Sequence, residues 1–423
     1  MERESFMRIG YACLTIGVPQ TQQKSCIQKN ATEAHLNALI AWNLSALEHI
    51  IEYNIQNQIK LFRISSDLIP FGSSPVNQVL WWDAFAEDFA RIGKKIRDAD
   101  MRVSMHPGQY TVLNSPQEAV VSRAKEDLRY HATVLDCLGV DASHKIVLHI
   151  GGVYGDKALA IKRFEEQYLA LPTQIQRRLV IENDDKSYGI AEVLGIGKRL
   201  GIPVVFDNLH HAIHTSASDR SEAEWIQECR ETWGAADGAQ KIHYAQQDPM
   251  KHPGAHAKTI RVQEFIDFCA RIARKDLDIM LEVKDKNLSA MKCILSSTGP
   301  QNITRLETEW AKYKYLVLER AHAVYVKIRK LLKNKQEYPV ISFYHMVELA
   351  LENEINLGGA INAAQHVWGY FSAFATEKER AGYHQRLEKL EQGTGTVRAL
   401  KQYLWKLAVQ YEQTYLLQSY YFL

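Results

Sequence analysis

The sequence predicts an α/β chain, a (β/α)8 barrel of the TIM type followed by a smaller all-helical domain. Over the first 300 residues, short apolar runs alternate with longer segments of helical spacing, whereas the remainder shows helical spacing almost throughout. Runs that are apolar at consecutive positions are typical of strands buried on both faces of a parallel sheet. Eight such units in about 290 residues fit one barrel. An open doubly wound sheet is the alternative, although no GxGxxG sequence follows the first run.

The predicted strands are short and mostly β-branched or aromatic. They cover residues 8–13, 60–64, 102–105, 145–150, 178–181, 203–206, 241–244 and 279–283. Between them, the spacing of apolar residues predicts helices over 32–53, 82–99, 116–138 and 190–200. In the first of these helices the apolar side chains share one stripe, and Gly201 marks the end of the last one.

Three compositional asymmetries predict a boundary near residue 300. Residues 301–423 carry 16 Lys/Arg against 12 Asp/Glu and contain 19 of the 41 aromatic residues, whereas ten of the 16 histidines lie between His106 and His256. The segment Ser296–Pro300 is typical of a linker. We therefore predict domains over 1–298 and 299–423. The second domain is expected to have helices over 310–332, 340–357, 360–374, 377–391 and 395–420, separated in part by Gly358-Gly359 and Gly393–Gly395.

The composition is that of a globular protein, with 46% hydrophobic and 24% charged residues. The net charge of +2 provides no overall field for a nucleic acid, so such a partner would have to meet a local patch. No apolar run is long enough to cross a bilayer, and residues 1–5 lack the apolar core of a signal peptide. Six scattered cysteines without a CxxC pair predict free thiols. We therefore expect a cytoplasmic protein without a membrane partner.

Potential metal ligands recur near the ends of six consecutive predicted strands, where a barrel builds its active site. One such residue alone is more often a hydrogen-bonded or ion-paired structural group. Six are difficult to explain in that way, because carboxylates crowded at one barrel mouth would repel one another. Mixed imidazole and carboxylate ligands favour Zn, Mn or Fe over Ca, and their number predicts two or three ions. The candidates are His106, His149, Glu182, Asp207, His210, His243, His256 and Glu282.

Two further features lie beside these candidates. Lys241 is two residues before His243 and faces the same side of its strand. Its amine could contact a phosphate, become an anionic carbamate, or form a salt bridge. The Pro107-Gly108 turn is expected to project Gln109 and Tyr110 above the mouth. An amide beside a planar ring suits a wedge that enters a base stack, but these residues alone favour an ordinary loop with Tyr110 packed on a neighbour.

These motifs, in this order, resemble those of the UV damage endonucleases, DNA repair enzymes on a metal-dependent TIM barrel related to endonuclease IV. The resemblance covers about residues 7–290 and implies nicking of DNA immediately 5′ to UV photoproducts, with action on abasic sites and other distortions in some members. The matching motifs are Arg63–Ser66, Ile69-Pro70, Ser104–Tyr110, His149–Gly155, Glu182–Asp185, Phe206–His211, Lys241–His243, Pro253–Ala257 and Glu282–Lys284.

The resemblance also implies residue roles. It makes the eight candidates metal ligands, assigns catalytic roles to Glu182, Lys241 and His243, and identifies Lys241 with a lysine that can be carboxylated. Gln109 and Tyr110 become the lesion-probing pair, which reverses the ordinary-loop interpretation, and Tyr11 matches an aromatic residue near DNA in relatives. Ser74 stands where relatives carry a histidine, so one of three metal positions is expected to be weak, water-filled or empty.

The implied cofactors are two or three divalent cations, with Mn²⁺ favoured and Zn²⁺, Mg²⁺ or Co²⁺ as alternatives. The implied partner is damaged double-stranded DNA, bound by a monomer that would associate with the nucleoid if the source is bacterial. The implied reaction is hydrolysis by metal-activated hydroxide, with lesions sensed through the deformability of the duplex. Arg63, Lys186 and Lys284 are candidate phosphate contacts, and Arg63 could equally pack within the barrel.

Residues 362–371 and 401–405 in the tail resemble a helical YbgA-like family of unknown function. A stabilising appendage and a module that binds DNA or another partner are both open interpretations of the tail. For the barrel, two alternatives stay open. One is a metal-dependent sugar isomerase or epimerase, which would need a buried substrate pocket. The other is a protein that binds lesions without cutting.

Overall fold

A computed structural model describes residues 7–215, 219–299 and 301–423. Its chain forms two compact units. The first comprises the described parts of Met1–Thr15, Gln20–Ile260 and Phe265–Ile294, and the second comprises those of Ile16–Pro19, Arg261–Glu264 and Leu295–Leu423. The predicted lack of a signal peptide over residues 1–5 and the Pro300 end of the predicted linker lie outside the described residues.

The first unit is built on a barrel of parallel strands, eight of them among the described residues. They are β1 (Arg8–Ala12), β2 (Leu61–Arg63), β3 (Arg102–Ser104), β4 (Ile146–His149), β5 (Leu179–Glu182), β6 (Val204–Asp207), β7 (Lys241–Tyr244) and β8 (Asp278–Leu281). Each one overlaps a predicted strand. Their order in the sheet is β3-β2-β1-β8-β7-β6-β5-β4, so β1 pairs with both β2 and β8 and the two end strands are β3 and β4.

A single bridge brings the two ends of this sheet together. Met105, just after β3, pairs with Ile146 of β4. The Met105 amide donates to the Lys145 carbonyl at 3.0 Å, and the Val147 amide donates to the Met105 carbonyl at 3.0 Å. The TIM-type barrel predicted from the sequence is therefore confirmed.

Helices follow the strands as predicted, with two differences. They are α1 (Glu33–Gln56), α2 (Trp81–Ala84), α3 (Ala86–Asp98), α4 (Glu118–Cys137), α5 (Lys157–Leu169), α6 (Thr173–Gln176), α7 (Ile190–Leu200), α8 (Asn208–Ile213), α9 (Glu222–Arg230), α10 (Val262–Ile272) and α11 (Asn287–Ser297). The predicted helix over 82–99 is divided between α2 and α3, because Phe85 leaves helical geometry with φ −119° and ψ 24°. Helix α11 continues to Ser297, into the predicted linker, because the buried side chains of Ile294 and Leu295 anchor its last turns.

The strands are buried on both faces, which explains their continuous apolar runs, and their register places their C-terminal ends side by side. Ile146, Val147 and Leu148 of β4 are all buried, because the barrel interior covers one face and the helices cover the other. In the register of the sheet, His149 is paired with Glu182, and Asp207 with His243. Polar residues at the C-terminal ends of β4 to β7 therefore lie at neighbouring positions around one mouth.

The second unit is helical, as predicted. Its helices are α12 (Ile303–Leu318), α13 (His322–Leu331), α14 (Val340–Glu352), α15 (Leu357–Trp368), α16 (Glu377–Glu391), α17 (Val397–Gln410) and α18 (Thr414–Leu417). Short 3-10 turns occur at Gln28–Asn30 and Ala235–Asp237 in the first unit and at Tyr420–Phe422 in the second. Apolar side chains of α12 and α15 to α18, among them Val367, Phe371 and Leu404, share one core.

Three predictions for this unit were wrong in detail. The predicted helix over 310–332 is two helices, since α12 ends at Leu318 and α13 begins at His322, and the predicted helix over 395–420 stops at Gln410. Gly358 and Gly359 do not separate helices but lie in the first turn of α15. A Cβ atom at Gly359 would lie 2.6 Å from the Glu319 carbonyl oxygen, so glycine there permits a close approach of the two chain segments. Gly393, with φ +71°, does separate α16 from α17 as predicted.

The described chain shows neither a membrane-spanning helix nor a disulfide bond. Within it, no helix combines the length and the apolar character needed to cross a bilayer. The six cysteines, all of them described, are free thiols.

Candidate metal centre

The C-terminal ends of the strands bring most of the predicted ligands together. His149, Glu182 and Asp207 are the last residues of β4, β5 and β6. Within the described residues, two groups of ligand atoms are close enough to share a cation, and in each group the atoms lie within 4.8 Å of one another. These groups, which we call the ligand cluster, are His106–Glu182–His243 and Glu182–Asp207–His210.

Glu182 stands at the centre of the cluster and is 1% exposed. Its Oε2 atom is 3.0 Å from His106 Nε2 and 3.6 Å from His149 Nε2. Its Oε1 atom is 2.6 Å from His243 Nδ1. Burial alone would raise the pKa of Glu182, but the surrounding imidazoles, with His243 the strongest, hold it well below its ordinary value. Glu182 is therefore a carboxylate with one oxygen facing each side of the cluster.

Two histidines are oriented by main-chain carbonyls. His106 Nδ1 lies 3.0 Å from the Pro107 carbonyl, and His210 Nδ1 lies 3.0 Å from the Asn183 carbonyl. Because a carbonyl can only accept, the proton of each neutral ring is on Nδ1 and Nε2 is left as a ligand. Asn183 also joins β5 to β6, since its side chain donates to the Asp207 carbonyl and accepts from the Asp207 amide.

The contact between His106 and Glu182 needs a positive charge. Burial lowers the pKa of His106 to about 4 despite the adjacent carboxylate, so the ring is neutral near pH 7. Its unprotonated Nε2 then faces Glu182 Oε2 at 3.0 Å. Two lone pairs repel at this distance unless a proton or a cation interacts with both. The geometry therefore suits a divalent cation bound by both residues.

Asp207 and His210 show the same surplus of negative charge. Asp207 begins α8 by accepting from the His210 amide at 2.7 Å. Burial raises the pKa of Asp207 to about 7, an effect that the negative charges of Glu182 and Glu282 increase. Burial would lower the pKa of His210, but Asp207 and Glu182 raise it to about 9. A bound cation would take the place of the protons that these two residues otherwise hold near neutral pH.

Unpartnered polar atoms also indicate a ligand site. Across the described residues, the buried side-chain atoms without a hydrogen-bond partner include His149 Nδ1, Asp207 Oδ2 and His243 Nε2. Buried polar groups normally have partners, so three exceptions in one cluster require an explanation. Mixed nitrogen and carboxylate donors are the set that Mn²⁺, Zn²⁺ and Fe²⁺ accept. The residues therefore fit a divalent metal site.

Glu282 and His256 lie at the border of the cluster and not in either group. Glu282 Oε1 is 3.4 Å from His243 Nδ1, and Glu282 Oε2 is 3.8 Å from His256 Nε2. Arg63 forms a partly buried ion pair with Glu282. Although burial acts in the opposite direction, this guanidinium holds the pKa of Glu282 well below its ordinary value. Of the two interpretations for Arg63, packing within the barrel describes its position, and the side chain orients a predicted ligand.

Lys241 begins β7 and is fully buried, on the same strand face as His243. Its Nζ atom has no hydrogen-bond partner among the described residues, so the salt-bridge interpretation is wrong. Burial lowers the pKa of Lys241 well below its ordinary value, and Arg102 adds to this effect. The side chain is therefore a buried amine that loses its proton more readily than an exposed lysine does.

An open groove adjoins the cluster. Gln109 and Tyr110 are both exposed, Tyr110 to 75%, and with His149 and His210 they line a groove of about 880 Å³. A Cβ atom at Gly108 would lie 2.7 Å from the Tyr110 ring, so this glycine leaves room for it. Tyr110 is not packed in the interior, which is contrary to the ordinary-loop interpretation. Ser74 also lines the groove, with its Oγ atom accepting from the Val76 amide at 3.3 Å.

Tyr11 is not near this groove surface, and the prediction that it lies near DNA is not supported. Its side chain is completely buried. The hydroxyl is 2.7 Å from Thr15 Oγ1 and donates to Asn54 Oδ1 of α1 at 2.8 Å, while the ring packs edge-on against Phe62. A ring enclosed between β1 and α1 has no surface to offer to a base.

Sequence reasoning missed two features of the site. Tyr154 lines the same groove, is 45% exposed and has φ +50°, with the Arg163 guanidinium 5.6 Å from its ring. The flanking Gly152 and Gly155 were a signal for an unusual turn at that position. The second feature is Ser66, which donates to the His106 carbonyl at 2.7 Å and contacts His131 Nε2 at 3.1 Å. No local pattern reveals this contact, because His131 lies 65 residues away on α4.

Comparison with known proteins assigns the chain to a family. Residues 7–314 match the family described as UV-endonuclease UvdE, and residues 314–423 match a family described as protein of unknown function (DUF1722). A UV DNA damage endonuclease of Clostridium perfringens is 39% identical over 351 residues, which cover 82% of this chain and 83% of that protein. A UV DNA damage endonuclease of Bacillus cereus (strain B4264) is 34% identical over 283 residues, 66% of this chain and 88% of that protein.

The solved structure of SacUVDE superposes with a TM-score of 0.65 at 39% identity, covering 68% of this chain and 96% of that one. The predicted resemblance of the tail to a family of unknown function is also confirmed. The first match ends at residue 314, within α12, and so extends beyond the boundary predicted at residue 298. Given these matches and the ligand cluster at the barrel mouth, the chain belongs to the UV-endonuclease UvdE family.

Proposed function

We propose that this protein is a DNA repair endonuclease that cleaves the phosphodiester immediately 5′ to UV photoproducts, and that it acts on other distorting lesions as well. Two relatives named UV DNA damage endonuclease support this proposal, and so does membership of the UvdE family. The observation that carries it is the cluster of metal-ligand atoms around Glu182, next to a groove with an exposed tyrosine. Residues 1–298 would carry the activity, and residues 299–423 would form a separate helical domain.

The proposed cofactors are two or three divalent cations, with Mn²⁺ favoured. His106, Glu182 and His243 would hold one cation, and Glu182, Asp207 and His210 a second. His149, His256 and Glu282 lie close enough to complete these sites or form a third. Ser74, a poor ligand, would leave one position weak. Such cations would supply Lewis-acid stabilisation of the phosphate and activation of water.

The side chains of the chain itself would prepare this site. Glu182 would contribute to both groups of ligands because its two oxygens face different histidines, and His243 would orient one of those oxygens. Arg63 would hold Glu282 in place through their ion pair. Burial of Lys241 lowers the pKa of its amine, which makes the neutral form easier to reach, and the neutral amine can add to carbon dioxide and lose a proton to become a carbamate. An anionic Lys241 would add a further ligand.

Gln109 and Tyr110 are proposed to probe the lesion. Both are exposed beside the groove that His149 and His210 share, so a wedge there would reach DNA next to the cluster. Replacing Tyr110 by Ala should reduce nicking of UV-irradiated duplex about tenfold and leave affinity for undamaged duplex within about twofold, because the lost contact is made only when the stack opens. Equal losses on both substrates would argue against a probing role.

The experiment that tests the proposed function is a nicking assay on UV-irradiated and unirradiated duplex, with Mn²⁺ and with a chelator. We expect a nick immediately 5′ to the photoproduct only in irradiated DNA with metal present. Absence of that nick would contradict the proposal. Binding of irradiated duplex without a nick would instead favour the lesion-binding alternative, and the exposed groove speaks against an enclosed sugar pocket.

A further inference from the structure

The positive charge of the helical unit is concentrated in one short segment. Residues 320–336 contain six Lys/Arg and no Asp/Glu. The rest of residues 301–423 carries ten Lys/Arg against twelve Asp/Glu. The net charge of +4 therefore comes entirely from a segment that covers α13 and the turns on either side of it.

Helix α13 is attached to its unit by a narrow apolar stripe. Ile328 is its buried residue, and Leu332 at its C-terminal end is also buried. At 3.6 residues per turn, Lys330 projects from the side opposite Ile328, and Lys327 and Arg329 flank that side. Lys333 lies in the turn just after α13. The four side chains are all exposed, and we call them the basic face: Lys327, Arg329, Lys330 and Lys333.

The charges of the basic face are not compensated within the part of the chain that the structure describes. No carboxylate oxygen there forms an ion pair with any of the four, whereas the neighbouring Lys335 pairs with Glu307. Arg329 lies over the ring of Tyr325, 5.7 Å from its centroid, which orients the guanidinium. Like charges three residues apart on a helix destabilise it. Arg329 and Lys330 in the last turn interact favourably with the C-terminal end of the helix dipole, and an external anion would relieve the remaining repulsion among the four charges.

We propose that the basic face binds the sugar-phosphate backbone of DNA, as a contact separate from the barrel mouth. The identity of the polyanion rests on the proposed function, since DNA is the polyanion on which the barrel would act. With a rise of 1.5 Å per residue, Lys327 and Lys330 are about 4.5 Å apart along the axis of α13, and Lys333 follows in the turn after it. Phosphates on each strand of a duplex follow at about 3.4 Å along its axis, so flexible lysines can pair with successive phosphates.

This contact carries no information about base sequence, because lysine ammonium groups on phosphates read only charge and position. Its function would be to retain the enzyme on undamaged duplex while lesions are sought. A damage-specific enzyme needs such retention, since lesions are rare among normal base pairs. The binding function of the helical unit is thus general affinity for DNA, with strong dependence on salt.

The test uses the full-length protein with K327Q/K330Q/K333Q and a matched control, K378Q/K389Q/K406Q. The control removes three exposed lysines, two from α16, where glutamates are interspersed, and one from α17. Affinity for a labelled, undamaged duplex of about 30 base pairs is measured by fluorescence anisotropy between about 50 and 200 mM KCl. We expect the first variant to bind about tenfold more weakly, with a salt slope smaller by about 2 to 3, and the control to change less than twofold.

Each remaining outcome decides the proposal. Equal losses in the two variants, or no loss in the first, would overturn it. A lower melting temperature of K327Q/K330Q/K333Q without weaker DNA binding would show that the lysines only stabilise the end of α13, and would overturn it too. The variant K327R/K330R/K333R retains the charges and should retain both affinity and slope. If it is as weak as the glutamine variant, charge is not the cause and the proposal fails.

Nicking of UV-irradiated duplex separates this inference from the proposed function. A wild-type protein that binds duplex through the basic face but never nicks would contradict the proposed function alone. A wild-type protein that nicks, with a K327Q/K330Q/K333Q variant of unchanged affinity and salt slope, would contradict the basic-face proposal alone.

Discussion

The two ends of the barrel bury similar charged side chains but satisfy them differently. At the N-terminal ends of the strands, Arg102 donates to Asp278 at 2.6 Å and to the carbonyls of Ser143 and Asp237 at 2.8 and 2.6 Å. Lys145 donates to the Arg177 carbonyl at 2.7 Å. At the C-terminal ends, carboxylates and imidazoles face one another, and several of their atoms lack a hydrogen-bond partner among the described residues.

This difference indicates that one end of the barrel contributes to stability and the other to function. An intact buried ion pair contributes little net stability, but removal of one partner is costly. A buried group of acceptors without donors costs stability until a cation binds. The side chains at the N-terminal ends of the barrel strands therefore stabilise the fold, and those at the C-terminal ends are arranged to bind a ligand. Lys241 is the exception, because it starts β7 near the paired end yet has no hydrogen-bond partner in the described chain.

The largest expected effect is a loss of nicking after substitution at the C-terminal ends of the barrel strands. Glu182→Gln retains the shape of the side chain but removes its charge and one acceptor oxygen, so it cannot hold two cations. Nicking of UV-irradiated duplex should fall at least about 1000-fold, while affinity for the duplex and the melting temperature stay close to wild type. Glu224→Gln, at the exposed start of α9, is the control and should retain full activity. Retained nicking in Glu182→Gln would show that the centre is misplaced.

Substitution at the N-terminal ends of the barrel strands should have the opposite effect, a loss of stability with nicking retained. Among the described residues, Arg102→Met leaves Asp278 with Arg8, at 3.5 Å, as its ion-pair partner. The substitution should lower the free energy of unfolding by about 3 kcal/mol in urea titrations. The folded fraction should nick at the wild-type rate. Arg91→Gln removes an exposed ion pair with Glu48 and should cost less than about 1 kcal/mol. A loss of nicking without a loss of stability in Arg102→Met would contradict the distinction between the ends.

A pair of buried lysines tests the exception. Lys241→Met removes an amine without a partner, so we expect no loss of stability, and a roughly 100-fold slower nicking if the lysine supports the cluster. Lys145→Met removes an amine that donates to the Arg177 carbonyl and pairs with Asp237, and should lower the free energy of unfolding by about 2 kcal/mol while nicking is retained. If Lys241→Met nicks normally, the lysine is a structural anomaly without a catalytic role.

The smallest expected effect concerns pH. The pKa of Asp207 is raised to about 7 and that of His210 to about 9, so both hold protons near neutral pH that a cation must displace. Affinity for Mn²⁺, measured by calorimetry, should therefore increase about tenfold per pH unit between pH 7 and 9, and more steeply below pH 7. His210→Ala should flatten this dependence, whereas His211→Ala should not. An affinity independent of pH would contradict the proposed ligands.

Most of the barrel could be predicted because its signal is local. Continuous apolar runs indicate doubly buried strands, and each of the predicted runs overlaps an observed strand. The helical unit was less predictable. One amphipathic pattern runs from α12 into α13, and nothing in the sequence marks the break between them. The glycines at 358 and 359 suggested a break, but their use is a close approach to Glu319.

The sequence by itself determined the barrel, the positions of the ligands at the ends of strands and the assignment to a family. It did so because parallel strands in a barrel end at one mouth, whatever fills the interior. Tertiary structure decided which groups have partners. Tyr11 is enclosed by Asn54, Arg63 pairs with Glu282, and Glu182 lies between His106 and His243. These pairings join residues tens to hundreds of positions apart, and burial and charge balance depend on such contacts, which no local pattern encodes.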